Sequence, residues 1–212
     1  MANVLNFLNP SVLNNLSRGP VGDLLYSNLD LATLGGGVSV ACFDESTEIL
    51  CLNHELQEVY VPIYQLSKGS IVKTFKHGYR KIDLIYKGSF VNDVNNFHNC
   101  MYILPKDENM TKDLIITGGH SVLVDSMSEK VYNRNLKRFG GIQEIDGKQL
   151  LLAAASDKFY ALRNKNVYNF YHFILENDGN DEARYGVWAN GILTETPSKE
   201  WFTETFLREG NV

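Results

Sequence analysis

The sequence predicts an all-β domain followed by a short C-terminal helix. Between residue 38 and about residue 190, short segments rich in β-branched and aromatic residues recur, bounded by Gly, Asn or Asp. Gly140-Gly141 and Asp146-Gly147 add turn signals between such segments. After residue 196 the apolar residues take helical spacing. These observations set the fold class.

The predicted strands follow in order along the chain. The clearest ones lie at 58–63, 71–74, 82–86 and 114–116. Residues 150–155 fit either a strand or a helix, because periodicity does not separate the two for so short an apolar run. Residues 178–182 predict a polar loop, whereas the charged clusters at 76–81 and 134–138 are interpreted as solvated faces.

The end of the chain predicts a helix over residues 196–209. Thr196 is suited to cap it, and Pro197 would take the first helical position, where a missing N–H does no harm. Phe202 and Phe206 would then share one face of the helix. We expect that face to pack on the sheet.

The first 37 residues differ from the rest. They are rich in Asn, Leu and Ser and end in a run of three glycines, which predicts a flexible junction. We therefore expect a leader at 1–37, a main domain at 38–196 and a C-terminal extension at 197–212. The leader is interpreted as a remnant of a longer partner or as a cover for an exposed strand.

The composition narrows the classes of function. The chain has 212 residues, 44% of them hydrophobic and 21% charged, as in one ordinary globular domain. A net charge of -5 argues against a nucleic-acid surface. We recognise neither an apolar run of membrane-spanning length nor a secretory signal, which favours the cytosol. The abundance of Asn and Tyr is typical of AT-rich genomes, including those of large DNA viruses.

Three cysteines, Cys42, Cys51 and Cys100, do not suggest a disulfide framework. Neither a Cys-x-x-Cys motif nor a clustered His pair is present, so we expect no structural zinc and no cofactor. Cys51 and Cys100 are interpreted as structural residues.

Cys42 and His120 stand in a context that suggests chemistry. Cys42 begins the run Cys-Phe-Asp-Glu-Ser-Thr-Glu-Ile, and His120 closes Ile-Ile-Thr-Gly-Gly-His. A thiol attacks the carbonyl of its own upstream peptide bond when another group strains that amide and protonates its nitrogen. A Thr-x-x-His turn is able to supply that group. The pair therefore predicts a backbone rearrangement at Ala41–Cys42.

These motifs, in this order, resemble those of the Hint family, the self-processing domains of hedgehog proteins and inteins. Cys-Phe-x-x-x-Thr-x-Ile at 42–49 is similar to the first block of that family, and 117–124 is similar to its Thr-x-x-His block. Three further segments resemble a linking strand and the last two strands, at 66–74, 171–176 and 188–193. The resemblance covers roughly 42–196 and implies a twisted, pseudo-symmetric β horseshoe.

The resemblance also implies roles for individual residues. Cys42 would attack the carbonyl of Ala41 and form a thioester by an N–S acyl shift. Thr117 would bind the scissile peptide, and His120 would protonate the departing nitrogen. No cofactor is implied, and the substrate is the protein's own N-terminal segment.

A second histidine is implied for the acceptor step. His172 aligns with a position that is often Asp in the family, and a near-neutral pKa would suit it as a base that activates the acceptor. A shifted alignment places Asn169 there instead. We prefer His172, because the residues after it continue the family strand better.

The chain departs from the family at the positions needed for splicing. Glu195 and Thr196 fall where inteins have His-Asn, Pro197 falls at the second nucleophile, and Tyr185 replaces a helper histidine. Without the Asn and the nucleophile, standard splicing is not expected. The acceptor would be an external nucleophile: water, a thiol or an amine. A lipid alcohol is the least favoured, since no further sterol-binding region is evident.

Two alternatives stay open. The chain is also interpreted as an inactive Hint-fold module for structure or binding, with residues 1–41 retained. Zinc regulation through Cys42 and a nearby histidine is the other. The plainer interpretations of single residues are a packing role for Cys42, a satisfied core histidine at 172, and an ordinary hairpin turn at Asn190-Gly191.

Overall fold

The computed structural model describes residues 41–206, which form fourteen strands and two α-helices. The predicted leader at 1–37 and residues 207–212 lie outside the described residues, so the predicted domain boundaries stay predictions. The strands are β1 (Phe43–Asp44), β2 (Glu48–Leu52), β3 (Glu58–Pro62), β4 (Ile71–Lys73), β5 (Tyr79–Val91), β6 (Met101–Leu104), β7 (Leu114–Thr117), β8 (Ser121–Val124), β9 (Glu144–Ile145), β10 (Lys148–Leu152), β11 (Tyr160–Ala161), β12 (Val167–Leu175), β13 (Gly186–Ala189) and β14 (Ile192–Glu195). The helices are α1 (Glu129–Phe139) and α2 (Lys199–Phe206).

The strands join into one antiparallel sheet. Its order is β11-β6-β7-β1-β12-β5-β4-β2-β13-β14-β8-β10-β9, with β3 beside β2. The long strands β5 and β12 pair from Val91 and Val167 to Ile82 and Leu175, and β5 also pairs with β4. The all-β class and the short C-terminal helix are thereby confirmed.

The short strand β1 is fourth in this order and lies between β7 and β12. Phe43 pairs with Ile116 of β7 on one side and with Tyr171 of β12 on the other. Phe43 is fully buried among the largest side chains of the core, which include Ile49, Ile63, Leu114, Ile116, Phe170 and Phe173. The chain just before β1 is therefore fixed in the interior, which places Cys42 there.

Helix α1 was not predicted, because its charged residues 134–138 were interpreted as a solvated face. The side chain of Ser128 accepts a hydrogen bond from the Val131 amide and caps the helix. Gly140 ends it in the left-handed region at φ 74°. Asn135 within this cluster is fully buried and hydrogen-bonds the backbone of β10, so the solvated-face prediction was wrong for this face of the helix.

The ambiguous run at 150–155 forms the end of β10 followed by one 3-10 turn. The motif at 188–193, predicted as a single strand, is a hairpin in which β13 and β14 pair around Asn190-Gly191. Both turn residues have positive φ, 49° and 95°. A side chain at Gly191 would approach the Asn109 carbonyl oxygen to 2.4 Å. Asn190-Gly191 is therefore the ordinary hairpin turn.

Helix α2 begins later than predicted. Its first turn is capped by Ser198, whose hydroxyl accepts a hydrogen bond from the Trp201 amide at 3.2 Å. Thr196 does not cap it, because its hydroxyl already accepts the Tyr185 amide hydrogen bond at 3.0 Å. Within residues 41–206, neither helix has the length and apolarity needed to cross a membrane.

Candidate active site

The scissile peptide predicted at Ala41–Cys42 is held by Thr117. Cys42 precedes β1 and Thr117 ends the adjacent strand β7. The Cys42 N–H donates to the Thr117 hydroxyl at 2.9 Å, and the Thr117 N–H donates to the Cys42 carbonyl at 3.0 Å. Both groups are fully buried. The nitrogen that would leave in an acyl shift is therefore fixed by a side-chain hydrogen bond.

A tight turn carries the chain from Thr117 to His120. The His120 amide donates to the Thr117 carbonyl at 3.0 Å. Gly118 is required in this turn, since a Cβ atom there would lie 2.4 Å from the Phe97 carbonyl oxygen. The turn brings the His120 ring against Phe43, with ring centroids 4.2 Å apart. The hydrogen bonds of Thr117 thus join Cys42, Thr117 and His120 in one cluster.

His120 is fully buried, and its two ring nitrogens differ. Nε2 lies 3.3 Å from the Glu195 carbonyl oxygen, which only accepts, so Nε2 carries the proton in this contact. Nδ1 has no hydrogen-bond partner among the described residues. Burial lowers the pKa of His120, while the Glu195 carboxylate and the backbone of Cys42 act to raise it. Since Nε2 is engaged by Glu195, Nδ1 is the ring nitrogen that stays without a hydrogen-bond partner among the described residues.

The Cys42 thiol lies in an apolar cluster with Tyr86, Phe170 and Ile174. Burial raises the pKa of Cys42 well above its ordinary value. Tyr86 was not predicted as a site residue, although β12 pairs it directly with His172. Burial and the neighbouring Cys42 both raise the pKa of Tyr86. The resting site therefore holds a neutral thiol next to neutral aromatic groups.

His172 lies beside His120, with ring centroids 5.7 Å apart in a T-shaped arrangement. It is fully buried, and neither of its ring nitrogens has a hydrogen-bond partner among the described residues. It is therefore not the satisfied core histidine of the plainer interpretation. Burial, and secondarily the charge of His120, lower the pKa of His172 well below its ordinary value. The near-neutral pKa expected for an acceptor base was therefore wrong.

Helix α2 covers this histidine. The rings of Trp201 and Phe202 lie 6.0 Å and 6.2 Å from the His172 ring. Asn169, the candidate of the shifted alignment, instead donates from its side chain to Glu45 at 2.8 Å. The structure thus places His172, and not Asn169, next to His120.

The residues in place of the splicing dipeptide make structural contacts. The buried Glu195 carboxylate accepts the Ser121 amide at 2.9 Å and forms an ion pair with Arg184. Thr196 is fully buried, and its backbone N–H donates to the Tyr185 carbonyl at 2.8 Å. Arg184 was missed from the sequence. The available signal was the Asn-Gly hairpin, whose register pairs Gly186 with Glu195 and so brings Arg184 near that carboxylate.

Of the two other cysteines, Cys51 lies in a different core cluster from Cys42, whereas the Cys100 carbonyl accepts the Gly118 amide of the Thr117–His120 turn at 2.9 Å. Cys42, Cys51 and Cys100 are all free and buried. Cys51 lies in the main core, where burial raises its pKa to about 12. Among residues 41–206, no three His, Cys, Asp or Glu side chains gather into a metal-ligand group.

The fold and site define an all-β domain with a buried Cys, Thr and His cluster around one peptide bond. Three solved inteins are structurally similar to this chain. The DnaB intein from Synechocystis sp. PCC 6803 matches with a TM-score of 0.43 and 11% identity, covering 74% of this chain and 99% of the intein. The VidaL intein matches with a TM-score of 0.41 and 15% identity, covering 76% and 99% respectively. The TvoVMA intein matches with a TM-score of 0.41 and 11% identity, covering 73% and 96%.

The same chain has no match among protein-family models or curated proteins.

Proposed function

We propose that this protein cleaves its own backbone at Ala41–Cys42 through a thioester and passes the N-terminal segment to an external nucleophile without splicing. One observation carries the proposal: the Cys42 N–H donates to the buried Thr117 hydroxyl at 2.9 Å, in the turn that also presents His120. A hydrogen bond of this kind fixes the orientation of the amide before reaction.

The acyl shift is an isomerisation, so its atoms balance within the chain. The Cys42 sulfur bonds to the Ala41 carbonyl carbon, and the bond from that carbon to the Cys42 nitrogen breaks. The thiol proton is the one that finally resides on the new amine. We infer that His120 takes up the thiol proton and, as the protonated ring, delivers it to that nitrogen through Nδ1, which has no hydrogen-bond partner among the described residues.

The surroundings of the two groups set the speed of this step. The pKa of Cys42 is raised and that of His120 is lowered, both mainly by burial. Between those two pKa values only a small, constant fraction of molecules holds thiolate and imidazolium together. We therefore expect a slow reaction whose rate is flat across neutral pH and falls on either side.

The second half of splicing is replaced by structural contacts. The Thr196 hydroxyl accepts the Tyr185 amide hydrogen bond, and the Glu195 carboxylate is engaged by Ser121 and Arg184. Release of the thioester therefore requires water, a thiol or an amine from outside. His172, our candidate for activating that acceptor, is reached only when Trp201 and Phe202 move.

The test is intact mass against time for the full chain carrying a tag at each end. We expect dithiothreitol or hydroxylamine to release a fragment ending at Ala41, and we expect Cys42→Ala to remain whole. Cys51→Ala is the matched control, because it removes another buried cysteine that lies in the main core. An intact chain over days at several pH values would contradict self-cleavage.

That contrary result would favour the second candidate, an inactive Hint-fold module. The complete burial of Cys42 and of both histidines is the observation in its favour.

Zinc control of the same site has a separate readout: metal uptake by the wild-type chain that disappears in Cys42→Ala. Equal uptake by the two chains would remove that possibility.

A further inference from the structure

Glu195, which falls where inteins have their penultimate histidine, contacts His120, the proposed proton donor. The backbone carbonyl of Glu195 lies 3.3 Å from His120 Nε2, and its side chain accepts a hydrogen bond from the amide of Ser121, the residue after His120. Glu195 therefore contacts two successive residues of the Thr117–Ser121 segment. These contacts fix both the ring and the backbone that carries it.

A second residue holds the carboxylate in place. Arg184 forms an ion pair with the other oxygen of Glu195 and donates to the Gln143 side chain at 2.7 Å. The Glu195 side chain is only 5% exposed, so its charge is screened little by water. Removing either partner would leave the other charge partly buried and unpaired.

Four titratable groups surround His120, and two of them, Glu195 and Arg184, are charged. Glu195 at the end of β14 favours the protonated ring, whereas Arg184 before β13 opposes it. His172 on β12 and Cys42 before β1 are neutral in the resting site, because burial shifts both of their pKa values toward the neutral form. The charge balance at His120 is therefore set mainly by the Glu195–Arg184 pair.

We propose that Glu195, held by Arg184, is the positioning residue for His120: its carbonyl keeps Nε2 toward β14 and leaves Nδ1 for the Cys42 nitrogen, and its carboxylate fixes the backbone that carries the ring. The inference rests on the proposed function for its catalytic consequence, although the placement of the ring is testable without cleavage. Position 195, which inteins use in a later step of splicing, would here serve the first step, the acyl shift at Cys42.

The first readout uses Cys42→Ala, so that the chain stays whole. The pKa and the tautomer of His120 are measured by nitrogen NMR, with the signal assigned by its loss in His120→Gln. Glu195→Gln keeps an acceptor for Ser121 and removes the charge, so we expect the pKa of His120 to fall by about one unit. Arg184→Gln leaves the carboxylate uncompensated, so we expect the pKa of His120 to rise.

The second readout is the pH dependence of thiol-induced cleavage in chains that keep Cys42. Glu195→Gln is expected to lower the rate in the flat pH region about tenfold. The pH at which the rate begins to fall on acidification is expected to move down by about one unit. Arg184→Gln is expected to move both in the opposite direction. Asp157→Asn, which breaks a separate ion pair with Arg134 near α1, is the control and is expected to change neither.

Opposite shifts in the two variants support the inference, because mere loosening of the structure would slow both without moving the limb. Shifts in the same direction, or no shift in Glu195→Gln, would overturn it. If the wild-type chain is never cleaved while the NMR shifts are opposite, the proposed function fails and the positioning of His120 stands.

Discussion

The two ends of the site differ in how completely their polar groups are engaged. At the end that holds Cys42, His120 Nδ1 and both nitrogens of His172 are buried without hydrogen-bond partners among the described residues. At the end of β14, the carboxylate of Glu195 and the hydroxyl of Thr196 are buried and hydrogen-bonded. Unpaired buried polar groups cost stability and are retained where chemistry needs them, whereas satisfied groups serve structure. The comparison fits our proposal that the first end carries the reaction and the second end supports it.

The largest expected effect compares two buried threonines, one at each end. Thr117→Val removes the hydroxyl that accepts the Cys42 N–H, so we expect thiol-induced cleavage to slow by about a hundredfold. Thr196→Val leaves the Tyr185 amide without its acceptor and is expected to lower the free energy of unfolding by about 1–3 kcal/mol, with the cleavage rate unchanged.

Rates come from intact mass and stabilities from urea unfolding. Thr117→Ser, which keeps a hydroxyl, should restore most of the rate. Equal loss of cleavage in the two valine variants would break the comparison between the two ends.

An intermediate effect concerns the unpaired histidine. His172→Phe replaces a buried imidazole that makes no hydrogen bond to residues 41–206 with an apolar ring of similar shape, so we expect the free energy of unfolding to rise by about 1 kcal/mol or more at neutral pH. The pKa of His172 is depressed in the folded state, so the unfolded chain binds more protons below about pH 6.5. Wild-type stability is therefore fully present above that pH and falls on acidification.

Urea unfolding at pH 7 and pH 5 measures this prediction. His172→Phe should show a smaller loss between the two pH values than the wild type, while His54→Asn, at an exposed position, should not differ from it. A larger loss of unfolding free energy on acidification in His172→Phe than in the wild type would contradict the prediction that the buried, unpaired imidazole destabilises the fold.

The smallest expected effect concerns the cover over the site. Trp201→Ala removes a ring that packs 6.0 Å from His172, so we expect thiol-induced cleavage to quicken by about threefold as local opening becomes easier. Lys199→Ala, which removes the ion pair with Asp83 from the same helix, is the control for loosening α2 without uncovering the ring. A slower reaction in Trp201→Ala would indicate that the helix assists the site.

Local patterns predicted the strands well and the helices less well. The strand at 82–86 lies within β5 and the strand at 114–116 lies within β7, because alternation and β-branching describe buried strands directly. Helix α1 was missed because its charged residues concealed a buried face that includes Asn135. The start of α2 was misplaced because Thr196 and Ser198 are both suitable caps, and a distant hydrogen bond from Tyr185 decides between them.

Part of the candidate site could be predicted from the sequence. Motif order predicted that Cys42, Thr117 and His120 lie near one another, and the hydrogen bonds of Thr117 to the other two join them in the structure. Burial of His172 under α2 was not predictable, because it depends on how a helix packs after the last strand. To predict the pairing of Arg184 with Glu195, one needs both the register of the hairpin and the direction of the two side chains. Sequence patterns around single residues indicate neither.

The position of Phe43 between β7 and β12 bears on what becomes of the domain after it reacts. Among the described residues, the hydrogen bonds and strand pairings that hold β1 begin at Cys42, downstream of the bond to Ala41. Cleavage of that bond would therefore leave the hydrogen bonds between β1 and its neighbouring strands intact. The fragment that begins at Cys42 would stay folded, with a free amine in place of the former amide, as a catalyst that acts once.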